Sequence, residues 1–233
     1  MFCPNCGSNL SDDSTFCPNC GTKIEQQHKP NNGSNLGKDF SKIAIECIKN
    51  PINEISNLKE TLSDTNNYIY LGILALIIPL LITVSLKFFN PRIGEIMLFR
   101  KIFLSSLISL VVFYGIMLFL TFAIYKFIFK EELNLQDFLK VVLVALIVKG
   151  AFMLVQFLVS IISFKLSIAV YIFGSMACIL TLYSGFKETV KDSNKFLYTF
   201  SGSYLVAIFF TNYIIVKFVM RNIVSLFLKS IFY

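Results

Sequence analysis

The sequence is short of charged residues, and the shortage is uneven. Only 15% of its 233 residues are charged, and the mean hydropathy is +0.69. A soluble domain carries about 25% charged residues. The deficit is concentrated in the second half of the chain, where long apolar runs are separated by short charged loops. This pattern excludes an ordinary soluble domain and indicates a lipid bilayer as the solvent.

The chain also lacks the residue combinations of common hydrolases. Its one histidine, His28, rules out a His-Glu-x-x-His motif, and the apolar runs contain no pair of acidic residues. The net charge is +7, yet lysine and arginine form no dense run. Dispersed basic loops fit anionic lipid headgroups better than nucleic acid, which needs a clustered patch. We therefore expect no enzymatic activity and no nucleic-acid partner.

A repeated cysteine motif occupies the N-terminus. The pentapeptide Cys-Pro-Asn-Cys-Gly occurs at residues 3–7 and again at residues 17–21. Each Cys-x-x-Cys turn can direct two thiolates at one ion, so the two turns supply the four sulfurs of a tetrahedral zinc site. The predicted ligands are Cys3, Cys6, Cys17 and Cys20. So short a segment cannot bury a sufficient core, and one structural zinc ion would supply most of its folding free energy.

Two other uses of these thiols are open. A rubredoxin-like iron site uses similar turns, and a redox dithiol uses a single Cys-x-x-Cys. No basic and apolar signal segment precedes Cys3, so we expect the cysteines in a reducing compartment, where close pairs bind metal. A zinc ribbon over residues 1–24, similar to the short N-terminal ribbons of many bacterial membrane and regulatory proteins, is the interpretation that we adopt.

A polar linker follows the zinc ribbon, which we also call the head (residues 1–24). Residues 25–39 are rich in Asn, Gln, Gly and Pro, which predicts a flexible linker, and His28 is expected to be an exposed linker residue. Residues 40–67 then predict amphipathic helices, with Asn50 as an N-cap and Pro51 at the first helical position. Their apolar stripes are expected from Ile43, Cys47 and Ile48, and from Ile52, Ile55, Leu58 and Leu62. Such helices either lie at the membrane interface or pack against the membrane bundle.

Residues 68–221 predict a membrane domain of five helices, because each apolar run approaches the length that crosses ~30 Å of hydrocarbon. The predicted spans are Ile69–Leu86, Ile102–Tyr125, Val141–Phe164, Leu166–Phe186 and Phe196–Val216. Residues 222–233 are apolar but short, and we expect an interfacial tail. The fold class is therefore an all-α polytopic membrane bundle with a small zinc ribbon.

Five spans place the two chain termini on opposite sides of the membrane. The basic residues of the loops divide equally between the two sides, so the positive-inside rule does not choose an orientation. The expected reducing environment of the cysteines places the N-terminus in the cytosol, and we expect a bacterial cell membrane.

Lys149 is the unusual residue of the membrane domain. It follows Lys140 by about 13 Å along a helix and should lie near the bilayer midplane, where a lysine costs about 3 kcal/mol. Gln156, Asn212 and Tyr213 are predicted partners. A functional lysine would serve an anion or proton pathway, and a structural one would snorkel or hydrogen-bond within the bundle.

The membrane domain resembles the Yip family of five-span membrane proteins. The resemblance rests on Asn134-Leu-Gln-Asp-Phe-Leu-Lys140 before the third span, on Leu182-Tyr-Ser-Gly-Phe-Lys187 after the fourth, and on the Asn50-Pro51 segment. It covers about residues 48–220. It implies a cytosolic N-terminus and, in eukaryotic members, partnership with membrane-trafficking GTPases.

Two functions from different classes remain open at this point. The first is a non-enzymatic membrane protein whose zinc ribbon binds a cytosolic protein or a second copy of the chain, with Yip-like membrane organisation or regulation. The second is a transporter or permeation protein for a small solute or ion that uses Lys149. An intramembrane hydrolase ranks last.

Overall fold

A computed structural model describes residues 5–6, 8, 18–20, 36–89, 96–190 and 195–232. The chain divides into two units, Met1–Ser34 and Asn35–Tyr233. The described part of the second unit consists of helices joined by short connections and contains no strand. Its helices are α1 (Leu36–Lys49), α2 (Pro51–Thr61), α3 (Asp64–Phe89), α4 (Ile96–Ala123, continued by a π-helical turn over Ile124–Ile128), α5 (Leu135–Ile162), α6 (Phe164–Thr189) and α7 (Phe196–Phe232).

Five of these helices are long and apolar enough to cross a membrane, which confirms the predicted polytopic bundle. The membrane-length segments are Asp64–Phe88, Leu98–Ile128, Leu135–Ile162, Phe164–Thr189 and Phe196–Lys217. Most extend beyond the predicted spans because a helix continues into polar residues at its ends, while an apolar run stops there. Asn134, for example, caps α5 by accepting a hydrogen bond from the Gln136 N–H at 3.0 Å.

Helix α5 is the centre of the bundle. Of its most apolar stretch, 61% is buried inside the protein, against 17–33% for the other four spans. Both α3 and α6 pack along it, and α4 packs against α3 and α7. The residues from Val141 to Val148 are all buried. A helix that is apolar on every side is expected in this position.

Two predicted boundaries differ from the structure. The third span was expected to reach Phe164, but α5 ends at Ile162, and Ser163 instead caps α6 by accepting from the Leu166 N–H at 3.4 Å. A serine favours such a cap because its hydroxyl serves the first turn of the next helix. At the other end of the domain, α7 runs without a break to Phe232. The segment predicted as a separate tail continues that helix, and its interfacial location stays a prediction.

Helices α1 and α2 pack against the bundle, the second of the two arrangements open from the sequence. Both contact α5, and α2 also contacts α6. Cys47, Ile55, Leu58 and Leu62 are buried, as predicted. Ile48 is exposed because α1 turns Ala44 and Cys47 towards the core, and Ile52 on α2 is exposed while Ile55 and Leu58 of that helix are buried. The predicted stripes were therefore wrong at these two isoleucines.

Polar contacts of buried Lys140 join three helices. Its Nζ donates to the Lys59 carbonyl near the end of α2 at 3.1 Å and lies 3.7 Å from Asp64 Oδ1 at the start of α3. The Ser56 hydroxyl on α2 also donates to the Glu188 carboxylate at the end of α6. A cation near a helix C-terminus is favoured by the helix dipole. These contacts fix α2 at one end of the bundle.

Two glycines of α6 let neighbouring helices approach closely. A Cβ at Gly185 would lie 2.5 Å from Val141 Cγ1 and 2.7 Å from Ile55 Cδ1, and a Cβ at Gly174 would overlap the Phe152 side chain. Gly174 lies one turn before Cys178 on α6, and both residues are buried. Small residues at such contacts are typical of membrane helices.

We predict that Gly185→Ala destabilises the bundle by about 1–3 kcal/mol through overpacking against α2 and α5. The measurement is thermal unfolding of the full chain in detergent. Gly115→Ala is the matched control, since nothing lies within 4 Å of a Cβ there, and better helix propensity should leave its stability equal or slightly higher. Equal stabilities for the two variants would show that the α2–α6 contact is loose.

Candidate zinc head and intramembrane lysine cavity

The structure describes one cysteine from each predicted zinc turn. Cys6 lies in a turn with Asn5, and Cys20 lies in a turn with Pro18 and Asn19. Both cysteines are exposed. The other two predicted ligands, Cys3 and Cys17, lie outside the described residues, as do His28 and the linker. A complete ligand set is therefore not present in the described part, and no group of three or more metal-binding side chains occurs there.

The described contacts place the two turns next to each other. Asn19 Nδ2 donates to Cys6 Sγ over 3.8 Å, and Ser8 Oγ lies 3.1 Å from the same sulfur. The form of a cysteine that binds metal is the thiolate, which can accept hydrogen bonds from such neighbours. The donor chemistry and the adjacency of the turns fit zinc. When bound, zinc would crosslink the four cysteine sulfurs and hold the fold of the head.

The remaining cysteines belong to the helical unit and are buried. Cys47 is fully buried between α1 and its neighbours, as the sequence predicted. Burial raises the pKa of the Cys47 thiol to about 12, and the nearby Glu54 carboxylate contributes to the shift. The thiol therefore stays protonated at neutral pH, and packing is its role. Cys178 is 2% exposed and packs between α4 and α6.

Lys149 lies at the middle of α5, where the sequence placed it. Its Nζ is 5.7 Å from the centroid of the Tyr114 ring on α4, within the range of a cation–π contact. The Tyr114 hydroxyl in turn lies 2.8 Å from Cys178 Sγ on α6. A lysine, a tyrosine and a cysteine from three helices thus meet at the same depth of the bundle.

The partners predicted for Lys149 lie elsewhere. Gln156 is buried, and its Oε1 lies 3.4 Å from the Ser85 hydroxyl on α3, whose shorter hydrogen bond goes to the Leu81 carbonyl at 2.7 Å. Asn212 and Tyr213 are exposed on α7, and the Tyr213 ring lies 5.9 Å from Lys217 Nζ. No local pattern singles out Tyr114, because a helix that is apolar all round does not reveal which of its faces meets a neighbour.

A partly open cavity of about 500 Å³ surrounds this group, and we call it the lysine cavity. Side chains of all five membrane-length helices line it. Lys149 is the charged residue of the lining, and no carboxylate lines the cavity among the residues described. Serine, threonine and tyrosine hydroxyls from α4, α6 and α7 face it, together with apolar side chains. Its size is that of a small-ligand site.

The fold defines a polytopic membrane bundle of five long apolar helices. In a comparison with protein families, residues 2–24 match the zinc-ribbon domain, so the bundle carries a zinc-ribbon domain at its N-terminus. Searches of curated proteins and of solved structures found no match. The Yip resemblance of residues 48–220 stays a prediction, and so does the assignment of the four individual cysteines as ligands.

We predict that the purified full chain carries one zinc ion and that the double variant Cys17→Ser, Cys20→Ser carries none, because two of four thiolate ligands are lost. Elemental analysis of the purified protein measures this directly. The matched control is Cys47→Ala, Cys178→Ala, which removes two buried thiols and should keep the metal. Iron in place of zinc, or zinc retained by the serine variant, would contradict the assignment.

Proposed function

We propose that this chain is a non-enzymatic membrane protein whose zinc ribbon faces the cytosol and binds a protein partner or a second copy of the chain. Through that contact it organises or regulates its membrane in the manner of the Yip family. The observation that carries the proposal is the zinc-ribbon domain at residues 2–24, joined to a bundle with five membrane-length helices. A bacterial cell membrane is the proposed location.

The charge of the head supports a protein partner over nucleic acid. Residues 1–24 contain Asp12 and Asp13 against Lys23 alone. Phosphate backbones are bound by clustered positive charge, and this segment has the opposite sign. A small ribbon with exposed turns and little charge is suited to contact another protein surface.

Affinity capture from detergent-solubilised membranes tests the proposal. The full chain should recover a partner, or a differently tagged second copy, that the Cys17→Ser, Cys20→Ser variant does not recover, because the ribbon loses its fold without zinc. The control variant Cys47→Ala, Cys178→Ala should recover the same partner as the native chain. If all three proteins recover the same set, the head is not the recognition element.

A second candidate function is passage of a small solute or ion, favoured by the lysine cavity around Lys149. Purified protein in liposomes would then give a flux that Lys149→Gln abolishes. If no flux depends on Lys149, this second function is excluded and only the docking function remains.

A further inference from the structure

The lysine cavity combines one positive charge with many hydroxyl donors. The Lys149 ammonium has three N–H donors, and its described contact is the face of the Tyr114 ring. The face of an aromatic ring attracts a cation, but it cannot accept hydrogen bonds from all three N–H groups of an ammonium. The Lys149 ammonium therefore has N–H groups that can donate hydrogen bonds to an oxyanion in the cavity.

Two hydroxyls of the lining are buried without a hydrogen-bond partner. Ser109 is 8% exposed, and its Oγ has no partner among the described atoms; the same holds for Thr211 Oγ1. Both residues line the lysine cavity. Serine and threonine hydroxyls inside helices usually bond the carbonyl four residues earlier, as Thr83 and Thr181 do here. Ser109 and Thr211 thus line the cavity with buried hydroxyls that have no described hydrogen-bond partner.

The cavity occupies the half of the bundle towards the α5–α6 turn. Lys149 lies about 21 Å along α5 from Ser163, and Tyr171 lies about 12 Å along α6 from the same turn. Leu86 and Ile102 line the cavity near the adjoining ends of α3 and α4. A ligand held at Lys149 would therefore extend along apolar walls towards one side of the membrane.

Helices α6 and α7 meet through aromatic rings at one end of the bundle. The described ring contacts between them join Tyr183 and Phe186 to Phe196 and Phe200, at the end of the bundle where α6 finishes. Towards the other end, α6 and α7 contribute side chains to the cavity lining instead. The cavity is partly open, and the outer surfaces of both helices carry exposed apolar residues such as Phe173 and Phe209.

We propose that the lysine cavity binds the carboxylate or phosphate headgroup of an anionic lipid, which enters from the bilayer between α6 and α7. Lys149 pairs with the anionic oxygens, and Ser109 and Thr211 donate hydrogen bonds to them. The apolar walls contact the first carbons of the acyl chain. Charge selects an anion because no carboxylate lines the described cavity, and the apolar walls select a lipid over a free ion. The site is independent of the docking function, and it is an alternative to solute passage because both would use Lys149 and the same cavity.

Native mass spectrometry of the full chain released from lipid nanodiscs tests this site. The nanodiscs contain phosphatidylcholine with a minor share of phosphatidate in one set and of oleate in another. The native chain should retain at least one of these anionic lipids and no phosphatidylcholine. Lys149→Gln should reduce retention about tenfold or more, as expected for a lost charge-assisted contact. Ser109→Ala should reduce it a few-fold.

Matched variants keep the result interpretable. Lys217→Gln removes an exposed lysine that also lies over a tyrosine ring, at 5.9 Å, and should retain lipid as the native chain does. Lys149→Arg keeps the charge and should restore binding. Native-like retention by Lys149→Gln, or no anionic lipid on the native chain, would overturn the proposal. Displacement of the lipid by inorganic phosphate alone would overturn its assignment to a lipid.

Discussion

The constraint on which this structure depends is the need to satisfy every backbone polar group without water. In hydrocarbon, an unpaired N–H or C=O costs several kcal/mol, so an apolar run of sufficient length must become a helix. Once five such helices exist, they need contacts other than hydrophobic burial to associate. Here they pack around α5, whose apolar stretch is the most buried of the five. Close contacts at Gly174 and Gly185 and the buried Lys140 hold its neighbours in place.

Two polar features depart from that apolar design, and they lie in different units of the chain. The zinc ribbon is a small module that metal binding can fold without a core. The lysine cavity places a cation and several hydroxyls inside the helical bundle, where such groups are costly to leave unpaired. In the ribbon, zinc bound by thiolate ligands replaces the missing core. In the cavity, by our inference, an anionic lipid pairs with the cation and the hydroxyls.

The helices could be predicted from the sequence because membrane length and apolar composition are local properties. The zinc ribbon could be predicted for the same reason, since its two Cys-x-x-Cys turns lie within one short segment. Contacts between helices could not be predicted in the same way. Helices α4 and α5 are apolar on all sides, so nothing local shows that Tyr114 faces Lys149, or that Gln156 turns to Ser85. The predicted positions of Ile48 and Ile52 on the packed face were wrong for a related reason. The rotation of α1 and α2 about their axes is set by the surface of the bundle against which they pack.

The most direct test of this account is the side of the membrane on which each terminus lies. A reporter that fluoresces only in the cytosol and an enzyme that is active only outside it can each be fused before Met1 and after Tyr233. Five spans with a cytosolic ribbon predict fluorescence from the N-terminal fusion and enzyme activity from the C-terminal fusion. Two termini on the same side would contradict the five-span bundle, and a reversed pair would contradict the cytosolic zinc ribbon.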